Sequence, residues 1–113
     1  MLYQEIKSLL TSITDPVLKL ETLVDIGKTL PPIPAGHKGT EIKGCASRVE
    51  IWRDKDGKFY GISDSAIVRG ILAVLLSMKE ADINFDEFKN LELNLGAQRL
   101  NGSAAVIAYL KSL

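Results

Sequence analysis

The only cysteine of the chain, Cys45, lies among small and positively charged residues in a pattern that suits nucleophilic chemistry. A thiol flanked by small side chains is sterically open, and nearby cations favour the thiolate, which is the reactive form of cysteine. Lys43 and Arg48 supply these cations, so we expect the pKa of Cys45 to lie below the value of about 8.5 for a free thiol. The complete run reads Lys43-Gly44-Cys45-Ala46-Ser47-Arg48.

A structural cysteine is the alternative interpretation. Unpaired cysteine is among the most buried residue types and usually packs as a small apolar side chain. Against this, Cys45 lies between the Pro- and Gly-rich segment 31–39 and the strand-like residues 49–52, and no second cysteine competes for a reactive role. The residues alone support a reactive thiol and a structural cysteine about equally.

A single thiol limits the chemistry that the chain could perform. A cysteine hydrolase needs a base and an orienting group, and the only histidine, His37, lies on a loop where we expect it to be solvated. A dithiol redox enzyme needs a second cysteine, and zinc or iron–sulfur sites need several ligands, so we expect no metal and no resident cofactor. One accessible thiolate can still accept a sulfur atom and hand it on.

Composition narrows the possible partners and the domain organisation. Fourteen basic and fourteen acidic residues cancel, so nucleic acid is not expected as a partner. The longest apolar stretch, residues 71–76, is too short to span a bilayer, and residues 1–5 do not resemble a signal peptide, so no membrane is expected. A single cysteine suits a reducing cytoplasm, and 113 residues suit one domain, residues 1–113.

Hydrophobic periodicity predicts the elements that position Cys45. Asp15 and Pro16 form a strong helix start, and Gly57 favours a tight turn between two strands. The pattern indicates an α+β fold with a small antiparallel sheet of about three strands backed by helices. Helices are predicted at residues 2–11, 16–29, 66–78, 85–90 and 104–113. Strands are predicted at residues 49–52 and 59–63, within a period-two pattern that begins near Ile42.

The helix at residues 66–78 is apolar nearly all round, which predicts that it is the buried centre of the fold. Gly70 within it suggests that another backbone passes close by, and the lone charge of Arg69 should reach the surface or an acidic partner. The run Ser63-Asp64-Ser65 is expected to supply the side-chain oxygens that cap the start of this helix, with Asp64 at a capping position. Trp52 is expected to pack against the fold's own helices.

The end of the chain is predicted to carry one more capped helix. Asn101 or Ser103 supplies a side-chain oxygen that can cap a helix over residues 104–113.

Three segments, in order, resemble the sulfur-acceptor proteins of the SufE/CsdE family. Residues 44–49 resemble the G-C-x-S-x-V signature of the family, and residues 64–71 resemble its D-x-A-I-V-K/R-G helix start. Residues 95–102 are similar to its L-x-x-x-R-x-x-G segment before the last helix. Together the segments make the resemblance cover most of the chain.

The resemblance implies a function and a set of site residues. Cys45 would accept persulfide sulfur from a SufS/CsdA-like cysteine desulfurase, stimulate that enzyme, and deliver the sulfur to an iron–sulfur scaffold complex. Pyridoxal phosphate would belong to the desulfurase. The fold would be that of SufE, shared with IscU-like scaffold proteins, and the chain a monomer or weak homodimer. The loop and partner-binding residues would be Lys43, Gly44, Ala46, Ser47, Arg48, Asp64 and Arg99.

Two of these residues receive specific roles from their places in the family-like segments. Asp64 is expected to help hold the cysteine loop closed, and Arg99 to lie near that loop or on the partner surface. The competing hypothesis is a non-catalytic protein-interaction domain of the same fold, in which Cys45 is structural.

Overall fold

A computed structural model describes residues 2–79 and 83–113, and this part of the chain forms five α-helices and one three-stranded antiparallel sheet. The strands lie in the order β1-β2-β3. This architecture confirms the predicted α+β class. The elements are α1 (Tyr3–Ser12), α2 (Pro16–Gly27), β1 (Thr40–Glu41), β2 (Val49–Arg53), β3 (Phe59–Ser63), α3 (Ala66–Lys79), α4 (Phe85–Lys89) and α5 (Ala97–Lys111).

Helix α3 is the centre of the fold, as its all-round apolar sequence predicts. It packs against α2, α5 and strand β3, and its middle is buried. Gly70 is the point of closest approach to α2, because a Cβ atom there would overlap the carbonyl oxygen of Leu23. A Cβ atom on Gly27 would in turn lie 2.6 Å from the backbone nitrogen of Gly70. The expected close approach is therefore confirmed, and Arg69 is exposed as predicted.

The β2–β3 hairpin sets the position of the cysteine segment relative to α3. Gly57 has a φ of 85° in the turn, which glycine adopts without steric cost. The register pairs Val49 at the start of β2 with Ser63 at the end of β3. Because of this pairing, the residue before β2, Arg48, lies beside the residue after β3, Asp64.

Helices α2 and α3 both begin at a local capping residue, although the residue that caps α3 is not Asp64. The Oδ1 atom of Asp15 accepts a hydrogen bond from the backbone N–H of Val17 at 2.9 Å, as expected. At α3 the capping oxygen is Oγ of Ser65, which accepts from the N–H of Val68 at 3.3 Å. The expected cap from residues 63–65 is therefore confirmed at Ser65. The prediction is wrong for Asp64 itself, which lies one residue too early and accepts a hydrogen bond from the backbone N–H of Arg48 instead.

Helix α5 begins at Ala97, seven residues earlier than predicted. Its N-cap is Gly96, so Asn101 and Ser103 lie inside the helix and neither caps it. Residues 97–100 are mostly good helix formers, which explains the longer helix. Gly102 is tolerated within it, because that position packs against the cysteine segment.

Trp52 packs against the Pro- and Gly-rich loop and the neighbouring strand. Its ring centroid lies 4.3 Å from that of His37 and 5.2 Å from that of Tyr60. These two aromatic contacts are with a loop and a strand, and the expected packing of Trp52 against the helices stays a prediction. His37 itself is exposed, as expected for a loop residue. None of the helices within residues 2–79 and 83–113 is long and apolar enough to cross a membrane.

Candidate functional site

The segment that carries Cys45 is a short closed loop between β1 and β2, residues 42–48, called here the cysteine loop. Its base is closed by a 2.9 Å hydrogen bond from the backbone N–H of Ile42 to the carbonyl of Val49. Gly44 has a φ of 92°, a left-handed conformation that other residues rarely adopt. The glycine therefore allows the sharp bend that turns Cys45 towards helix α5.

Cys45 is half-buried, and its thiol faces α5. The Sγ atom lies 3.5 Å from the carbonyl oxygen of Gly102, to which the neutral thiol donates a hydrogen bond. Burial raises the pKa of Cys45 above the ordinary value for a cysteine. The prediction of a lowered pKa is therefore wrong for this closed form of the loop, in which the neutral thiol is the favoured state.

The flanking cations do not lower the pKa of Cys45 because both are paired with carboxylates. The Nζ atom of Lys43 lies 3.7 Å from a carboxylate oxygen of Glu41. The guanidinium of Arg48 lies 2.7 Å from the carboxylate of Glu50, a residue that is only 6% exposed. Both cations also project into solvent, where water screens their charge.

Asp64 connects the start of α3 to the cysteine loop. Its Oδ1 atom accepts a hydrogen bond from the backbone N–H of Arg48 at 3.3 Å. This contact explains why Asp64 does not cap α3, because its carboxylate is turned towards the loop. The structure thus brings Asp64 to the loop, and the expected role of this residue in holding the loop closed stays a prediction.

A cavity of about 300 Å³ lies beneath the cysteine loop, between the loop, α3 and α5. Cys45 is on its wall, so the thiol borders this space. The floor is apolar, which limits the access of water to groups inside it. The floor residues are Val49, Val68, Ile71, Leu72, Leu75 and Val106.

The rim of the cavity is polar and includes Arg99. Ser47 of the loop and Gln98 and Arg99 of α5 border the opening. Arg99 is exposed and makes no ion pair with another residue in the ranges 2–79 and 83–113. Arg99 and Cys45 therefore line the same cavity, and the expected role of Arg99 at the loop or on the partner surface stays a prediction.

Several site features escape sequence reasoning. The cavity floor comes from β2, α3 and α5, and its apolar residues cannot be distinguished in the sequence from ordinary core residues. Gly102 could have been found, since a glycine inside a helix costs about 1 kcal/mol relative to alanine and needs a reason. In the structure Gly102 packs against Cys45, and a Cβ atom at position 102 would lie 3.5 Å from its Sγ, an ordinary contact distance.

The remaining loop residues line the outer surface of the site. Lys43, Gly44, Ala46 and Arg48 are exposed, and Ser47 is half-buried at the cavity rim. In residues 2–79 and 83–113, no three His, Cys, Asp or Glu side chains are grouped closely enough to hold a metal ion. The arrangement as described is one thiol beside an apolar cavity, with exposed loop residues around it.

Comparisons with known proteins find a matching family model and similar sequences. A family model described as SufE, Fe-S metabolism associated domain, matches residues 4–113. The sulfur acceptor protein CsdE of Escherichia coli (strain K12) is 37% identical over 116 residues, covering 84% of this chain and 78% of CsdE. An uncharacterized SufE-like protein of Rhizobium meliloti (strain 1021) is 31% identical over 109 residues, covering 80% of this chain and 78% of that protein.

The fold also matches a solved structure. The solution structure of a hypothetical protein from Thermus thermophilus superposes with a TM-score of 0.79 at 19% identity, covering 99% of this chain and 94% of the other. At this identity the likeness concerns the fold alone.

Proposed function

Since the chain belongs to the SufE family of Fe-S metabolism associated domains, we propose that it is a sulfur carrier whose accepting group is the thiol of Cys45. Sulfur acceptance is the role that the name of its relative CsdE states. The observation that carries the proposal is the position of the chain's single thiol, on a glycine-hinged loop at the wall of an apolar cavity.

The transfer is an exchange between sulfur atoms. The thiolate of Cys45 attacks the terminal sulfur of a cysteine persulfide on a desulfurase, and the sulfur–sulfur bond of the donor breaks. The donor cysteine leaves as a thiolate, and Cys45 becomes the persulfide. Such exchanges depend on the thiolate fraction, on access and on the leaving group, so no base or metal on this chain is required. The pyridoxal phosphate that generates the donor persulfide belongs to the desulfurase.

The cavity supports the carrier role because a persulfide needs protection between transfers. A bound persulfide is readily oxidised or reduced, and an apolar enclosure keeps polar reactants away from it. The thiol already borders about 300 Å³ of space, so one added sulfur atom fits without displacing the floor residues. We infer that the loaded and unloaded carrier both rest with Cys45 turned inwards.

Opening of the cysteine loop is then the step that exposes the thiol. The closed loop is held by the hydrogen bonds from Cys45 to Gly102 and from Arg48 to Asp64. When the loop opens, the thiol gains water and its pKa returns towards the ordinary range, which raises the thiolate fraction. A desulfurase that binds the open loop would therefore also activate the nucleophile.

The exposed faces of the loop are the surface that we assign to the desulfurase. Lys43, Ala46 and Arg48 face outwards, and Arg99 lies on the adjacent rim. Removal of sulfur by Cys45 regenerates the donor cysteine, which would stimulate the desulfurase. The same proposal includes delivery to an iron–sulfur scaffold complex, a cytoplasmic setting that keeps the thiol reduced, and a single domain over residues 1–113.

The test is stimulation of a SufS/CsdA-like desulfurase, measured as alanine formation from cysteine in the absence of other reductants. Wild-type protein should raise the turnover rate. The Cys45→Ser variant should bind the enzyme without raising it, because the accepting sulfur is gone. Equal stimulation by Cys45→Ser would instead support the non-catalytic interaction domain, in which binding alone matters.

A further inference from the structure

The cavity beside Cys45 is much larger than sulfur transfer from a protein donor requires. A single sulfur atom occupies about the volume of a water molecule, on the order of 30 Å³. The cavity holds about 300 Å³, which is the lower end of the range for small-molecule sites in proteins. The surplus volume therefore has the size of a small ligand.

The lining of the cavity indicates the chemistry of that ligand. The floor is made of aliphatic side chains from β2, α3 and α5, which favours an apolar body. On the rim, Arg99 carries a charge that is not used in an ion pair within the described residues. A guanidinium at this place favours a planar anion such as a carboxylate, which it binds through two parallel hydrogen bonds.

The thiol and the guanidinium border the same cavity, so one molecule could contact both. Lys43 and Arg48 differ from Arg99 in this respect, because each has a carboxylate partner on an adjacent strand, Glu41 at 3.7 Å and Glu50 at 2.7 Å. The first turn of α5, with Gly96 as an N-cap that lacks a side-chain hydrogen bond, adds a partial positive charge at the rim.

We propose that this cavity binds a low-molecular-mass persulfide with an apolar body and a carboxylate, and that Cys45 takes sulfur from it directly. The carboxylate pairs with Arg99, the body lies on the apolar floor, and the terminal sulfur meets the thiol. This inference rests on the proposed function, because it uses Cys45 as the accepting thiol, and it adds a second donor that is not a protein.

The transfer balances without any further reactant. The Cys45 thiolate attacks the terminal sulfur of the small persulfide, forming a new sulfur–sulfur bond. The original sulfur–sulfur bond breaks, and the small thiol leaves as a thiolate that takes up the proton lost by Cys45. The number of persulfides is unchanged, so no oxidant or reductant is consumed.

The experiment compares two donors that differ only in the carboxylate. N-acetylcysteine hydropersulfide carries it, and N-acetylcysteamine hydropersulfide lacks it. Intact mass spectrometry follows the gain of one sulfur by the folded protein, and the urea-unfolded chain corrects for the intrinsic reactivity of each donor. We expect folded protein to load about tenfold faster from the carboxylate donor, the effect of one charge-assisted hydrogen-bonded pair.

Two variants test whether Arg99 causes the preference for the carboxylate donor. Arg99→Gln should abolish the tenfold difference, because loading from the carboxylate donor falls to the corrected rate of the N-acetylcysteamine donor. Arg69→Gln is the matched control, because Arg69 is an exposed arginine on α3 that does not line the cavity, and it should keep the preference. Equal loading from both donors, or a preference that survives in Arg99→Gln, would overturn the inference.

Loading by a cysteine desulfurase, measured in parallel, separates the two proposals. Protein that is loaded by the desulfurase but shows no carboxylate preference disproves the small-molecule site alone. Protein in which Cys45 gains sulfur from neither source disproves the sulfur-carrier function as well.

Discussion

Replacement of Asp64 by alanine should make Cys45 more reactive, because it removes a hydrogen bond between the start of α3 and the cysteine loop. The Asp64 carboxylate accepts one hydrogen bond from the backbone N–H of Arg48 at 3.3 Å. The cap of α3 is supplied by Ser65, so the substitution leaves that cap in place. The loop keeps its other bond, from the thiol to Gly102.

The size of the effect follows from that single contact. A hydrogen bond to a charged group contributes about 1.5–3 kcal/mol when it is well formed. The bond to Asp64 is long and solvent-exposed, so we assign it about 1 kcal/mol, at or below the low end of the range. Because 1.4 kcal/mol corresponds to a factor of ten, the open population of the loop should rise about fivefold.

The assay is the pseudo-first-order rate of iodoacetamide alkylation of native protein at about pH 7.5, below the pKa of about 8.5 for a free thiol, with the melting temperature measured on the same samples. Asp64→Ala should be alkylated about fivefold faster, in proportion to the open population. Asp15→Ala is the matched control, because Asp15 caps α2 away from the loop. The control should lose about 1 kcal/mol of stability and keep the wild-type alkylation rate. An Asp64→Ala protein with an unchanged alkylation rate would refute the assignment.

Three further predictions test the thiol and the packing around it. The alkylation rate of Cys45 should rise about tenfold per pH unit from about pH 7 to 8.5, because the raised pKa of Cys45 keeps the thiol mostly protonated in this range. A rate that reaches a plateau below about pH 8 would contradict the burial of the thiol. Gly70→Ala should lower the free energy of unfolding by at least about 2 kcal/mol in urea titrations. The added Cβ atom overlaps the Leu23 carbonyl, and this overlap outweighs a helix-propensity gain of about 1 kcal/mol. A variant as stable as wild type would show that α2 and α3 are not in such close contact. Lys19→Met should lower the free energy of unfolding by about 2 kcal/mol in the same titrations, because the buried Lys19 ammonium donates a hydrogen bond to the Leu91 carbonyl at 2.9 Å. Unchanged stability would mean that water takes the place of the ammonium at this carbonyl.

Local sequence signals were sufficient for the elements that depend on local physics. Asp15 and Pro16 begin α2 because a capping carboxylate and a fixed φ act within one turn of chain. Gly57 marks the hairpin because only glycine adopts its φ without steric cost. The apolar residues on every side of α3 predicted its burial, because such a helix has no polar face to turn towards water.

The features that could not be predicted depend on contacts between distant segments. Helix α5 begins before Gly102, a residue type that disfavours the interior of a helix, and the contact of Gly102 with Cys45 cannot be inferred from the sequence. The direction of the pKa shift of Cys45 depends on burial against that same helix. The pairing of Arg48 with Glu50 is different, because residues two apart on a strand share a face, and the sequence could have indicated it.

Intact-mass analysis of the protein after incubation with a cysteine desulfurase and cysteine tests the central claim most directly. Wild-type protein should gain one sulfur atom, about 32 Da on the basis of one persulfide per reactive thiolate, and proteolytic fragments should place it on Cys45. A reductant should remove the added mass, and Cys45→Ser should gain none. Wild-type protein that never gains this mass beside an active desulfurase would contradict the account.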